Sequence, residues 1–330
     1  MGRLPFEVER KLVVKAKAST DPRYGKRPEE RDIRDHITYG VINLDKPAGP
    51  TSHEVVSWVK KILELKKAGH GGTLDPKVTG ILPIALEEST KVIQTLLPAG
   101  KEYMCIMRLH AEVEEEKIKE IFKEFQGEIL QKPPVKSAVK RQLRKRKIYY
   151  LEVQEIEGRD ILFKVGCEAG TYIRKLCHDI GEAIGCGAHM LELRRTKSGS
   201  FTEKDIVTLH DVMDAYSFWK EEGNQGFLRK TILPVEKAVE YLPKIVVKDG
   251  AVDAICHGAE LAVPGVCKLD AEIDKGDPVA LFTLKDELIA IGEATMDTKA
   301  ILIEESGITV KTKRVVMRPG TYPKMWKSLS

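Results

Sequence analysis

Ala68-Gly-His-Gly-Gly-Thr-Leu-Asp-Pro-Lys-Val-Thr-Gly80 is the stretch that decides how this chain is read. Gly69, Gly71 and Gly72 lead into Asp75 and Pro76. Glycines at this density break up the interior of a helix or strand. Pro76 turns Asp75 away from the helical region. The stretch therefore forms a tight loop that admits a ligand close to the backbone and presents one carboxylate. A plain turn with Asp75 as a cap has the same spacing. A phosphate loop does not fit, because GxxxxGK[ST] is missing and Gly100-Lys101 runs into Glu102.

Outward from this loop, periodicity sets the fold class. Val55, Val59, Ile62 and Leu63, with Trp58 beside them, mark a helix over 55–66. Residues 102–109 read as a buried strand. Residues 148–156 and 161–167 read as a hairpin turning at Glu157-Gly158-Arg159-Asp160. Ile173, Leu176, Cys177, Ile180 and Ile184 mark a helix ended by Gly185 and Gly187, and residues 190–195 return to strand. Helices and strands alternate irregularly, so the class is α+β and not a regular βαβ array. Beyond residue 240 the texture changes to short β-rich runs, among them Lys244–Lys248, Pro278–Leu284, Leu288–Met296, Ala300–Glu305 and Ile308–Met317. Their spacing of about ten residues suggests a small barrel, with a boundary near Leu242-Pro243.

Two further segments carry candidate chemistry. In Cys167-Glu-Ala-Gly-Thr-Tyr-Ile-Arg174 a strand passes into a helix, with Thr171 as N-cap and Tyr172 and Arg174 in the first turn. An arginine there opposes the helix dipole, which suggests that Arg174 pairs with an acid. Gly187-Ala-His-Met-Leu-Glu-Leu-Arg-Arg195 sets two adjacent arginines at a strand end. Cys177, His178, Cys186 and His189 are close enough in sequence to suggest zinc. Cys177 falls on the apolar stripe of the helix, so core packing is the better reading and no metal is assigned. No nucleophile-elbow GxSxG is present.

The chain has 330 residues, 42% of them apolar, and a net charge of only +4. That sum hides an uneven distribution. Residues 112–128 hold seven Glu against three Lys, with Ile118, Ile121, Phe122 and Phe125 on one helical stripe. Lys132 to Lys147 then holds eight basic residues and no acid, and six more basic residues without an acid follow Ser306. Such blocks are footprints of phosphate binding. Residues 1–35, with ten basic and seven acidic residues and scattered prolines, read as an extended arm and not a core element. No apolar run reaches the ~18 residues of a membrane span. The start of the chain lacks the apolar centre of a secretory signal. Six cysteines without a CxxC pair point to a reducing, cytoplasmic setting.

Four segments taken together resemble the successive motifs of the TruB family of RNA pseudouridine synthases. They are Gly40-Val-Ile-Asn-Leu-Asp-Lys-Pro-Ala-Gly-Pro-Thr-Ser52, His70 to Gly80, Gly170-Thr-Tyr-Ile-Arg174, and Gly187-Ala-His with Leu193-Arg-Arg195. The stretch Pro133–Tyr149, the segment His257-Gly-Ala-Glu-Leu with Pro264-Gly-Val266, and the tail Arg318–Trp326 resemble the dyskerin-type branch in its archaeal form, with a C-terminal PUA domain.

The resemblance implies an N-terminal arm over 1–39 lying against the PUA domain, and a catalytic domain over 40–242 built on a mixed, mainly antiparallel sheet. It implies a PUA RNA-binding barrel over 243–317 and a tail over 318–330. The implied activity is isomerisation of uridine to pseudouridine in rRNA selected by a box H/ACA guide RNA. Direct action on tRNA and a non-catalytic scaffold are the alternatives. A glycosidase-like hydrolase is a further rival, but such enzymes use two facing carboxylates and the motifs offer one.

Asp75, Tyr172 and Arg174 are the implied catalytic residues: the essential acid, the tyrosine placed for the C5 proton, and the acid's partner. Tyr103 is the implied stacking face and Leu193 a pocket wall, with His70 and Lys46 also at the substrate. Lys136, Lys140, Arg141, Arg144, Lys145, Arg146, Lys147, His257 and Gly258 are the implied RNA contacts. No cofactor is needed, since the reaction has no redox or carrier step. The implied protein partners are a small zinc-ribbon nucleolar-type protein, a Gar-type protein and a kink-turn-binding protein.

Overall fold

A computed structural model describes residues 2–5, 7–132 and 142–325. Two sheets organise it. The larger runs in the order Leu233–Pro234, Gly40–Lys46, Thr79–Leu86, Ala188–Ser198, Lys101–Leu109, Asp160–Cys167, Arg144–Glu157 and Gly127–Gln131. Every neighbouring pair on this path is antiparallel except one. Thr79 and Gly80 run parallel to Arg194 and Arg195, so the sheet is two antiparallel halves joined along a short parallel seam. Gly80 sits on that seam at φ +98°, and a Cβ there would lie 2.3 Å from the Arg195 carbonyl oxygen. Only glycine fits so close a backbone approach.

Helices cover this sheet. Ser52–Ile62 starts from a capping box between Thr51 and Glu54 and buries Val55 and Val59. Glu115–Glu124 buries Ile118 and Phe122 and leaves its glutamates outward. Ile173–Ile184 buries Ile173, Leu176, Cys177, Ile180 and Ile184, and ends at left-handed Gly185. The Cys177 thiol lies 3.6 Å from that of Cys105 within the core.

The smaller sheet has the order Leu12–Val14, Val266–Asp270, Lys244–Val247, Pro278–Phe282, Leu288–Ala294, Ile308–Val315 and Leu261–Ala262. It carries its own core around Ile245, Leu281, Ile289 and Val310. A further cluster joins it to the larger sheet, bringing Val41, Ile81 and Leu96 against Ala280, Phe282 and Val316.

Three expectations change. The run Ala300–Glu305 is not a strand: Thr298–Ile303 is helical because the Asp297 carboxylate accepts from the Ala300 N–H and starts a turn. The first 35 residues are not merely extended. Leu12–Val14 pairs with Lys268–Asp270, and Ile33–Thr38 is a helix capped by Asp32 that buries Ile33 and Ile37 in the core. Thr171 is not the N-cap of the helix after it: Tyr172 holds that position, and the Thr171 hydroxyl bonds back to the Glu168 carbonyl at 2.7 Å.

Candidate active site

The seam of the larger sheet is where the sequence motifs meet. Asp75 stands in the loop between Ala68–His70 and Thr79–Leu86. Several groups hold that loop from below. Ser52, at the start of its helix and 1% exposed, accepts from the Leu74 N–H at 2.9 Å and donates to the Leu74 carbonyl at 3.1 Å. The Gly49 N–H reaches the Pro76 carbonyl at 2.9 Å, and the Gly71 N–H reaches the Pro83 carbonyl at 2.9 Å. The loop is thus tied on both sides of Asp75 while the carboxylate itself stays exposed.

Arg174, at the start of the helix Ile173–Ile184, donates to that carboxylate. The pair is open to solvent, with each side chain more than half exposed. Tyr172, two residues earlier, is fixed through its backbone. Buried Gln131 donates to its carbonyl at 3.2 Å and accepts from its N–H at 2.9 Å. A neutral amide thereby serves both backbone groups of one residue.

Tyr103 and Arg195 face each other across the strands Lys101–Leu109 and Ala188–Ser198, and Leu193 pairs with Cys105 two positions along. The register shifts beside Tyr103, which is a bulge of the kind that re-aims side chains near active sites. Burial pushes the Tyr103 phenol up, and the positive charge of Arg195 pulls it back. Leu193 is half-buried against the core.

Lys46 has a different place from the substrate contact expected of it. It is fully buried, and its ammonium donates to the carbonyls of Pro47, Pro76 and Val78 at 2.8, 2.9 and 3.0 Å. All three of its donors are used on backbone carbonyls, two of them just after Asp75. Burial pushes its pKa down, against the pull of the Asp75 carboxylate. His70 also lies beneath the loop. Its ring is 5.0 Å from that of His53, and its Nδ1 accepts from the Gly72 N–H at 3.4 Å. Burial, His53 and Arg195 together lower its pKa, so it is neutral at neutral pH.

Residues matching known proteins surround this geometry. The model for the N-terminal domain of TruB family pseudouridylate synthases matches residues 60–116 and 110–173, and that for the tRNA pseudouridylate synthase B C-terminal domain matches 174–240. A PUA domain model matches 243–316, and a DKCLD domain model matches 3–56. A protein of Methanopyrus kandleri named probable tRNA pseudouridine synthase B is 63% identical over 324 residues, covering 98% of this chain and 96% of its own. The chain belongs to the TruB family of pseudouridine synthases.

Its relatives include a Pyrococcus abyssi protein of the same name, 60% identical over 98% of this chain and 97% of its own. Among solved structures, the chain from a Cbf5-Nop10-Gar1 complex superposes with a TM-score of 0.94 at 60% identity, covering 98% of both chains. One from an H/ACA ribonucleoprotein bound to a substrate RNA containing 2′-deoxyuridine gives 0.93 at 57%, covering 98% of this chain and all of the other. The α+β class and the PUA domain of this TruB-family enzyme agree with the sequence reading.

The expected RNA contacts of this synthase fall in three places. Lys136, Lys140 and Arg141 lie outside the described residues. Arg144 to Lys147 open a long strand and are partly engaged: Lys145 pairs with Glu128 at 2.8 Å, and Arg146 donates to the Gly170 carbonyl at 3.2 Å, beside the Tyr172 turn. His257 closes the helix Asp249–Cys256, its Nδ1 2.8 Å from the Asp253 carbonyl, and Gly258 follows at φ +90°. Among the described residues, no helix is long and apolar enough to cross a membrane.

Ser52, Gln131 and Arg195 were not singled out from sequence. Ser52 and Arg195 stood inside quoted motifs, but their partners lie 22 and 123 residues away. Gln131 carried no local signal at all.

Proposed function

We propose that this pseudouridine synthase acts on uridines of RNA selected by a box H/ACA guide, with Asp75 as its essential acid. The observation that carries this reading is the exposed Asp75 carboxylate, paired with Arg174 on a loop pinned from below. The reaction breaks the N1–C1′ bond, turns the base, and joins C5 to C1′. The target uridine must first leave its stack, and Tyr103 offers an aromatic face for it. Arg174 holds Asp75 aimed at the sugar, where a carboxylate attacks carbon or removes the C2′ proton. Tyr172, set by Gln131, is placed for the C5 proton, and Leu193 closes the apolar side of the pocket.

The solved structures that superpose on this chain come from Cbf5-Nop10-Gar1 and H/ACA assemblies. We assign corresponding partners here: a guide RNA, a small zinc-ribbon protein, a Gar-type protein and a kink-turn-binding protein. The PUA domain, including His257 and Gly258 at the end of its helix Asp249–Cys256, holds the guide, and the basic stretch through Arg144–Lys147 meets RNA phosphates. The setting is the cytoplasm. A second reading is direct modification of tRNA, favoured by the names of the curated relatives.

Purified protein is assayed on a guide-programmed rRNA fragment and on tRNA, with and without guide and partners. Asp75→Asn is expected to retain RNA affinity and make no product, and turnover by that variant refutes the assignment. Product from tRNA alone, with none from the guided substrate, selects the second reading.

A further inference from the structure

The Arg194-Arg195 doublet has two different fates. Arg194 pairs bidentately with Asp45 at 2.9 and 3.0 Å and also with Glu203 at 2.7 Å. Arg195 is 1% exposed, and among the described residues no carboxylate is paired with it. Its guanidinium donates to the Ile81 carbonyl at 2.7 Å and the Gly72 carbonyl at 3.0 Å, and the residue stands opposite Tyr103 on the neighbouring strand. Lys101 lies beside it, 5% exposed, its ammonium on the carbonyls of Leu96, Leu97 and Ala99. Burial and the Arg195 charge together push the pKa of Lys101 down to about 7.

A buried cation without a counter-charge is costly, and so is a second one next to it. A neutral amide, with two N–H donors, could serve the Ile81 and Gly72 carbonyls as well. The hydrogen bonds therefore account for the donors of Arg195 but not for its charge. The reaction supplies an anion at this place. When N1–C1′ breaks, the bonding pair leaves with the base, which becomes a uracil anion with charge spread over N1 and its carbonyl oxygens. If Tyr103 is the stacking face, this anion forms over the ring of the residue that Arg195 faces across the strands.

We propose that Arg195, opposite Tyr103, is the fixed positive charge that stabilises the detached uracil anion. The inference rests on the site assigned above. No proton passes to or from Arg195. The electron pair carried off on the base is used again when C5 bonds to C1′. The C5 proton is then lost, N1 gains one, and the negative charge disappears. Arg195 thus favours a state between the two bond changes over both ground states, which is where fixed charge accelerates a reaction.

The test is single-turnover consumption of uridine, and of 5-fluorouridine at the same site, by the full chain on an RNA that the wild type converts. Fluorine withdraws charge from the ring and makes the base a better leaving group, so it needs less help. Arg195→Gln keeps donors and loses the charge. It is expected to slow uridine consumption about 100-fold, and 5-fluorouridine consumption at most about tenfold, with RNA affinity within about threefold. Arg195→Lys is expected to recover at least tenfold of the loss on uridine. Equal slowing on both nucleosides, or no slowing, overturns the inference. If Arg195→Gln does not fold, Arg195→Met is read by the same ratio. Asp75→Asn is the control: if it turns over uridine, the site assignment falls, whereas an inactive Asp75→Asn with equal slowing by Arg195→Gln removes only the role of Arg195.

Discussion

Replacing Lys101 by Met tests the buried charge beneath the active-site loop directly. In the folded chain its pKa is about 7, against an ordinary 10.5. Between those limits the unfolded chain carries a proton on Lys101 that the folded chain has shed. Unfolding then takes up a proton, so this residue makes stability rise with pH by about 1.4 kcal/mol per pH unit. Over the window from about 7 to 10.5 the effect amounts to about 5 kcal/mol, present in full above 10.5 and lost as pH falls to about 7.

Methionine fills similar space and removes both the charge and the bonds to Leu96, Leu97 and Ala99. The neutral amine present above about pH 7 has two N–H donors, so the bonds lost there cost about 2 kcal/mol. Lys101→Met is therefore expected to be the more stable protein near pH 7 and the less stable one near pH 10, with the curves crossing at about pH 9. Urea unfolding at half-unit steps from pH 6.5 to 9.5 reads both slopes. All other titrating groups are shared by the two proteins and cancel in the difference. Parallel stability curves would refute the reasoning, because they would mean that Lys101 keeps its ordinary pKa in the folded chain.

The other supports of the site give sharper structural outcomes. Gly80→Ala adds a Cβ 2.3 Å from the Arg195 carbonyl at φ +98°; a loss of at least about 3 kcal/mol is expected in denaturant unfolding, and an unchanged midpoint contradicts the seam geometry. Ser52→Ala breaks both bonds to Leu74 and is expected to cost about 1–3 kcal/mol and to slow turnover without changing RNA affinity, as read by unfolding and filter binding. Gln131→Leu frees the backbone of Tyr172; a fall in kcat of about tenfold at constant KM is expected for a group that positions a reacting side chain, and a change confined to KM argues for a role in RNA binding instead.

What was legible in the sequence was local. The glycine-rich approach to Asp75 and the proline after it break regular structure within a few residues, and no distant partner is needed to see this. The stripe from Ile173 to Ile184 was equally plain, because one helix face repeats every three to four positions. Ala300–Glu305 misled for the complementary reason: a short β-branched run is compatible with either state, and the decision lay with Asp297 just outside it. Ile33 and Ile37, spaced i, i+4 behind the cap Asp32, did carry a helical signal, but it was hidden among alternating charges. The clamps on the Asp75 loop were invisible because Lys46, Ser52 and Arg195 act on carbonyls and amides that any residue would present.

The arginine doublet shows how such a residue could be found. Side chains alternate between the faces of a strand, so two neighbours on a half-buried strand cannot both point to solvent. Arg194 and Arg195 obey this: the first meets Asp45 and Glu203 at the partly exposed face, and the second lies inside the seam. A lone arginine at a strand end has an easy surface explanation. An adjacent pair does not, since one member is forced inward by backbone geometry and must find acceptors or an anion there. Here the acceptors are two carbonyls, both neutral. Alternation on the strand points one arginine of the doublet inward, and the parallel pairing of Gly80 with Arg195, seen only in the structure, brings that buried guanidinium close to the loop that carries Asp75.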